Sequence, residues 1–340
     1  MRIINYLILF SIILLHSCNN SMNISQSYIY ITGETMGTTY NIKYNSKENF
    51  QKEIDKELKR INDEVSTYIP ASTISKFNTS NSGIVVDSSD FYINLIKAME
   101  VYKLSDGYYD VTVMPLVNYW GFGYTGHEDV EKIDSNEVKE LLKRVGSEKI
   151  KIISQGKGKF LVQKIKKEVQ LDFSSIAKGY GVDKIGELLA KKGIKDYMVE
   201  IGGEVVSSGK SPRGTGWVIG INTPSESASP QDVILEVEIS GKGLATSGNY
   251  RNFHNNAGKK YGHTINPKTG YPEKSNLLSA SIIANNCMTA DALATACMAS
   301  GLNKSKEIIK KLNNVEACFI YTNDNGEFQV YKTPGFDKIK

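Results

Sequence analysis

Apolar residues recur along this chain at two spacings, and the switch from one to the other marks out its elements. Ile54, Leu58, Ile61 and Val65 fall at helical spacing and predict an amphipathic helix over 50–65. Further helices are predicted over 91–105, closed by Asp106-Gly107, over 135–145, and as a short turn over 72–77. Strand-like runs lie within 28–44 on either side of Gly33–Tyr40, as a pair within 149–169, and at 197–206, 216–221, 233–239, 243–247 and 279–284. Residues 169–173 read as one more short strand. Ser174-Ser175 then cap a helix reaching about Lys192, with Ile176, Tyr180, Ile185, Leu188 and Leu189 on its apolar face and Gly193 as its stop. A last helix is predicted from Thr289 to Gly301. No linker after Ser27 separates independent domains. The class is mixed α and β, with sheet layered on helix.

The N-terminus is different material. Met1-Arg2 precedes an apolar run from Tyr6 to Leu15 and then His16-Ser17-Cys18. A charged start, an apolar core and small residues before a cleavage point describe an export signal, too short to span a bilayer. Leu15-His16-Ser17-Cys18 is similar to the bacterial lipobox. On that reading 1–17 is removed, Cys18 is lipidated, 18–27 is a polar tether, and 28–340 is the working domain. The protein is then expected on the periplasmic side, held to a membrane by its lipid. A plain signal peptide with an incidental cysteine is the alternative.

Composition narrows the classes further. The 340 residues, 40% hydrophobic and 23% charged, suffice for one large core or two coupled ones. A net charge of +4 without a long Lys/Arg run gives no reason to expect nucleic acid as a partner. Cys287, Cys297 and Cys318 lack zinc spacing and read as buried thiols.

Three stretches carry residue types that chemistry needs. The first is Leu171-Asp172-Phe173-Ser174-Ser175-Ile176-Ala177-Lys178-Gly179-Tyr180-Gly181. A helix start offers unpaired N–H groups and about half a positive charge, to which Lys178 adds a full one. That end can cradle an anion such as phosphate, or be an ordinary capped turn. Asp172 would repel a phosphate there unless it accepts hydrogen bonds from ligand hydroxyls or amines, or a cation lies nearby. The second stretch, His263-Thr264-Ile265-Asn266-Pro267-Lys268-Thr269-Gly270, holds a histidine beside a rigid bend. Such a histidine can be base, metal ligand or hydrogen-bond partner.

In the third stretch Asp291 and Thr295, four residues apart, share a helix face among Ala292, Leu293, Ala296 and Met298. A carboxylate in so apolar a helix needs a partner. The helix dipole can supply one; so can Mg²⁺, which takes hard oxygen ligands from a few protein groups, phosphate and water. The aromatic run Tyr108–Gly123, bent at Pro115, reads as core or as a stacking surface for a flat ring.

Joined by Gly33-Glu34-Thr35-Met36-Gly37-Thr38, Ser66-Thr67-Tyr68, Asp106-Gly107-Tyr108-Tyr109-Asp110-Val111-Thr112 and Glu200-Ile201-Gly202-Gly203-Glu204, these stretches resemble the bacterial ApbE family, the FAD:protein FMN transferases. The resemblance runs from about Thr32 to about Cys318. It implies an α+β, T-fold-like architecture in which two related α/β halves form one compact catalytic domain around FAD. It places FAD ligands at Met36, Tyr68, Tyr108, Tyr109, Asp110, Asp172, Lys178 and Ile265. Mg²⁺ ligands fall on Ser175, through its carbonyl, and on Asp291 and Thr295. Some members carry another carboxylate where Ala294 stands, so water would replace one ligand, and an aspartate often stands at Asn266.

The implied reaction moves FMN from FAD to a threonine or serine hydroxyl of another exported protein, such as an electron-transport subunit, and releases AMP. His263 is the candidate base. Water as acceptor would make the same site an FAD pyrophosphatase, and absence of chemistry would leave a flavin-binding lipoprotein.

Overall fold

The computed structural model describes residues 27–125, 133–225, 227–229, 231–249, 253–256 and 259–338, and the side chains of 253–260 are left aside. The export signal and Cys18 lie outside the described residues.

The chain opens with the hairpin β1 (Tyr28–Thr35) and β2 (Thr38–Asn45), then α1 (Gln51–Val65), α2 (Thr73–Thr79), β3 (Gly83–Val86) and α3 (Asp90–Leu104). Next come α4 (Met114–Tyr119), α5 (Ser135–Leu142), the pair β4 (Ile150–Gly156) and β5 (Lys159–Lys164), and α6 (Ala177–Lys191). The second half runs β6 (Tyr197–Ile201), β7 (Glu204–Ser208), β8 (Trp217–Asn222), β9 (Val233–Ile239), β10 (Lys242–Gly248), β11 (Phe253–Asn256) and β12 (Lys259–Gly262). It closes with β13 (Leu277–Ala284), α7 (Cys287–Lys310), β14 (Glu316–Thr322) and β15 (Phe328–Lys332).

Eight strands form one antiparallel sheet in the order β1-β2-β6-β7-β10-β13-β14-β15. Side chains alternate across it, as strand geometry requires. Ala245, Ile282 and Phe319 point to the face covered by α6 and α7, whose Ile185, Leu189, Leu293 and Ala296 are fully buried. Leu244, Ile283 and Ile320 point to the other face, closed by Ile221, Val237 and Ile239 of the β8–β9 hairpin. Each of these large aliphatic side chains contributes about 1.5–3 kcal/mol by burial. Helices α1 and α3 pack outside α6 and α7, while β3, β5 and β4 form a separate small sheet. Among the described residues no helix is long and apolar enough to cross a membrane, and the three cysteines there are buried free thiols.

The run 197–206 is a hairpin, β6 and β7, folded at Gly202-Gly203, and four further elements near the site differ from their sequence reading. Residues 169–173 are not a strand: the Asn78 side chain bonds both backbone groups of Leu171, donating to its carbonyl at 2.8 Å and accepting from its N–H at 2.7 Å. One amide thus does a neighbouring strand's work. The helix that follows starts at Ala177, and Ser174-Ser175 form a turn ahead of it. Asp172 organises that turn, its carboxylate accepting from the Ser174 N–H at 2.8 Å and hydroxyl at 2.9 Å. Pro115 sits in the first turn of α4, where a missing N–H costs nothing, so it opens a helix. Finally α7 begins at Cys287, capped by Asn286, and runs on past a break at Gly301, where φ is 73°.

Candidate functional site

Two cavities, of about 680 and 1010 Å³, meet over Asp172, Ser174 and Lys178, which line both. The smaller is walled by Tyr108, Tyr109 and Asp110, by Ser175 at the start of α6, by His263 and Ile265, and by Asp291 and Thr295 of α7. The larger is walled by Met36 of the β1–β2 turn and Tyr68 after α1. Every site residue expected within the described part of the chain therefore lines one cavity or the other.

The seam between them is set by how α6 and α7 meet. Gly179 has no Cβ; one built there would stand 2.5 Å from the Cys287 carbonyl oxygen and 2.8 Å from Asp291 Cβ. That close approach lets Asp291 Oδ2 accept from the Gly179 N–H at 3.0 Å. This N–H lies in the first turn of α6, where a helix offers it no acceptor of its own, and Asp291 supplies one. Ser175, just ahead of α6, and Asp291 of α7 line the same cavity. Thr295, one turn further along α7, adds a hydroxyl 3.3 Å from Ser247 Oγ.

Ionisable groups crowd the seam. Lys178 Nζ lies 3.3 Å from Glu204 Oε1. Burial pulls the Lys178 ammonium down, but Asp291 and Glu204 outweigh it and hold it above the usual lysine range. Asp291 and Glu204 are 2% and 4% exposed, so neither can rely on water. Burial raises both carboxyl groups against the pull of Lys178. Burial likewise raises Asp172 and Asp110. Lys178 stands beside this set, and a further cation there would favour the ionised form of each.

Glu204 was not among the expected site residues, although its motif helped carry the family resemblance. Its Oε2 is buried without a protein hydrogen-bond partner. The signal that could have found it is the two-residue turn Gly202-Gly203, both at positive φ, which starts β7 with Glu204 pointing inward. Gly202 also clears the path of Lys178, whose Cδ would stand 3.3 Å from a Cβ there.

The aromatic wall is fastened by Asp110, whose carboxylate accepts from Thr112 N–H, Thr112 Oγ1, Ser147 Oγ and Ser147 N–H at 2.7–3.0 Å. Its side chain holds the loop in place. Tyr109 is buried, and its hydroxyl accepts from Ser175 Oγ at 3.1 Å. The Tyr108 ring lies under Lys268 Nζ at 4.2 Å. Tyr68, by contrast, is 70% exposed, its ring edge-on to Tyr124 at 6.3 Å.

His263 enters from the opposite wall, its ring 6.3 Å from that of Phe122. The bend behind it is braced by Trp120 Nε1, which donates to the Gly270 carbonyl at 2.9 Å, and by the Ile265–Pro272 bridge. Asn266, where a charge was expected to be missing, accepts from the Lys268 N–H at 2.9 Å and donates to Glu273 Oε2 at 2.8 Å. A carboxylate is thus present in this bend, supplied by Glu273.

Among the described residues no group of three or more His, Cys, Asp and Glu is placed to hold a metal. The donors here are of another kind: one carboxylate, one hydroxyl and one carbonyl. A hard cation that keeps waters and shares a ligand's phosphates is the one they suit.

Fold and site together define an α+β protein whose two cavities join beside the start of α6. Comparison with known proteins makes this specific. The ApbE family model matches residues 36–319, and the chain belongs to that family. It is 37% identical to a Vibrio cholerae FAD:protein FMN transferase over 341 residues, 98% of each chain. It is 35% identical to the Haemophilus influenzae FAD:protein FMN transferase over 321 residues, 92% of this chain and 91% of that one. Among solved structures, the flavin transferase ApbE from Vibrio cholerae superposes with a TM-score of 0.83 at 35% identity, covering 93% of this chain and all of that one. The apo flavinyl transferase ApbE of Pseudomonas stutzeri gives 0.80 at 30% identity, covering 92% and 97%.

Proposed function

We propose that this chain binds FAD across the two joined cavities and transfers its FMN half to a serine or threonine hydroxyl of an exported protein, releasing AMP. One observation carries the reading: two chambers, each able to take a nucleotide half, meet at Lys178, where the diphosphate between those halves would lie. Membership of the ApbE family and the names of its relatives support flavin transfer.

In this reaction the acceptor oxygen bonds to the FMN phosphorus as the bond from that phosphorus to the AMP oxygen breaks. The acceptor proton passes to His263 on the wall opposite α6. Lys178 binds the diphosphate and offsets charge that builds as AMP departs. Tyr108 and Tyr109 form the aromatic wall for a flat ring, and Asp110 fixes their loop. Asp172, already organising the Ser174 turn, presents a carboxylate to ligand hydroxyls or amines. Holding both reactants in line is worth as much as about 7–11 kcal/mol of the barrier.

Asp291, Thr295 and the Ser175 carbonyl would hold Mg²⁺. When bound, that ion would supply positive charge to the diphosphate and favour the ionised form of Asp291 beside it. Cys18 would carry a lipid that keeps the domain on the periplasmic side of a membrane, within reach of exported acceptors such as electron-transport subunits.

The test is to incubate the chain from Ser27 onward with FAD, Mg²⁺ and candidate acceptor domains. Mass spectrometry should find an acceptor heavier by one FMN and an equal amount of AMP. FMN and AMP appearing free, with no acceptor labelled, would make the protein a hydrolase; FAD bound unchanged would make it a carrier.

A further inference from the structure

Asp183 of α6 is used by no step above, yet it makes an unusual pair of contacts. Its two carboxylate oxygens accept from the first two N–H groups of another helix, those of Cys287 and Met288 in α7, each at 2.8 Å. The ordinary cap of α7 is already present, Asn286 accepting from the Thr289 N–H at 2.9 Å. Asp183 therefore adds a second cap that crosses between helices. Asp291 does the converse, reaching from α7 to the Gly179 N–H in the first turn of α6 at 3.0 Å.

Each helix start is thus held by a carboxylate from the other helix. All three cross-bonds join a side chain to a backbone N–H, so they hold the main chains rather than flexible tips. Cys287, Asp291 and Thr295 are spaced by four and lie on one face of α7. A movement of Cys287 along or away from α6 therefore carries Asp291 and Thr295 with it.

We propose that Asp183 is a positioning residue for the transfer reaction: paired with Asp291 it makes a reciprocal clasp that sets where Asp291 and Thr295 stand against Ser175. The inference rests on the assignment of those three residues as Mg²⁺ ligands. Supporting partners of this kind alter metal affinity or activity by roughly 10–100-fold when changed. The contrasting role is purely structural, satisfying two N–H groups at a buried helix start, and it predicts lost stability alone.

Asp183→Asn keeps the shape but puts an NH₂ where one N–H needs an acceptor. Two readouts separate the roles. The Mg²⁺ concentration for half-maximal thermal stabilisation of the folded variant should rise roughly tenfold or more, with kcat falling and KM for FAD nearly unchanged. Independently, in metal-free protein, hydrogen exchange at the Gly179 amide should quicken by about tenfold or more, while amides deep in α6, such as Ile185, stay as they were. Should the asparagine variant not fold, Asp183→Glu, which keeps the charge and displaces it by one methylene, gives the same two readouts. Wild-type Gly179 exchange in a folded variant overturns the clasp. A wild-type protein indifferent to Mg²⁺ overturns the metal assignment instead, and Gly179 exchange then decides the clasp alone.

Discussion

Replacing Gly179 by alanine is the most direct challenge to the site described here. The added methyl would lie 2.5 Å from the Cys287 carbonyl oxygen, a backbone atom that cannot swing aside, and ordinary contact begins at 3.4 Å. Helices α6 and α7 must therefore part by about 0.9 Å. Two effects on stability oppose each other. Alanine favours the helix by about 1 kcal/mol over glycine, while overpacking a close contact costs about 1–3 kcal/mol. The net is a loss of as much as about 2 kcal/mol, a fall in Tm of a few degrees for a chain of this size. Activity should suffer far more. The bond from the Gly179 N–H to Asp291 stretches by the same distance, and a misplacement near 1 Å at a reacting centre lowers rate by about a hundredfold, or roughly 2.7 kcal/mol.

Urea unfolding gives the first quantity and FMN transfer to an acceptor domain, followed by mass spectrometry, gives the second. The expected pattern is a modest stability change beside a severe loss of kcat. A variant that is more stable than wild type and equally active would refute the reasoning, since helix propensity would then have won and the two helices could not be in tight contact.

Other perturbations probe the charges and the base. Lys178→Met should raise KM for FAD by about 10–100-fold, the value of a hydrogen bond to a charged group, and should destabilise the free protein by stranding Glu204 and Asp291. Adding Glu204→Gln should recover part of that stability; strict additivity in the double-mutant cycle would mean the two side chains do not interact. In chelator, Asp291→Asn should become progressively more stable than wild type as pH rises. Burial lifts the Asp291 carboxyl above the usual aspartate range, so its favourable contribution is complete below about pH 3.9 and is lost as pH climbs through the raised value. A pH-independent difference in Tm would count against that burial cost. His263→Ala should abolish transfer while FAD still binds with near wild-type affinity by fluorescence titration, and retained transfer would remove His263 as the base.

Much of this was legible in the chain because local rules and tertiary demands agreed. The spacing of Ile54, Leu58, Ile61 and Val65 gave α1 to within a residue, and all four are buried. Most of the expected site residues stand in motifs dense with glycine, proline or aromatic residues, whereas Asp291 and Thr295 stand out as polar groups in an alanine-rich helix. What stayed hidden depended on partners distant in sequence. Residues 169–173 have a strand's composition, but Asn78, more than ninety positions earlier, takes the hydrogen bonds a strand would have made. Glu204 looks like any surface glutamate until β7 is folded into the sheet centre. Asp183 occupies an ordinary helical position, and only the approach of α7 shows what its carboxylate meets.

The Asn78 arrangement also bears on how the protein ages. Hydrolysis of that side-chain amide to a carboxylate would keep the acceptor facing the Leu171 N–H but turn the donor into an oxygen aimed at the Leu171 carbonyl. Two like partial charges would then face each other beside Asp172, and the segment would come loose at its root. Asn78 is 6% exposed and sits within α2, where the backbone cannot readily bend into the cyclic intermediate that deamidation needs. The amide that holds Leu171 is thus stored where that chemistry is slow.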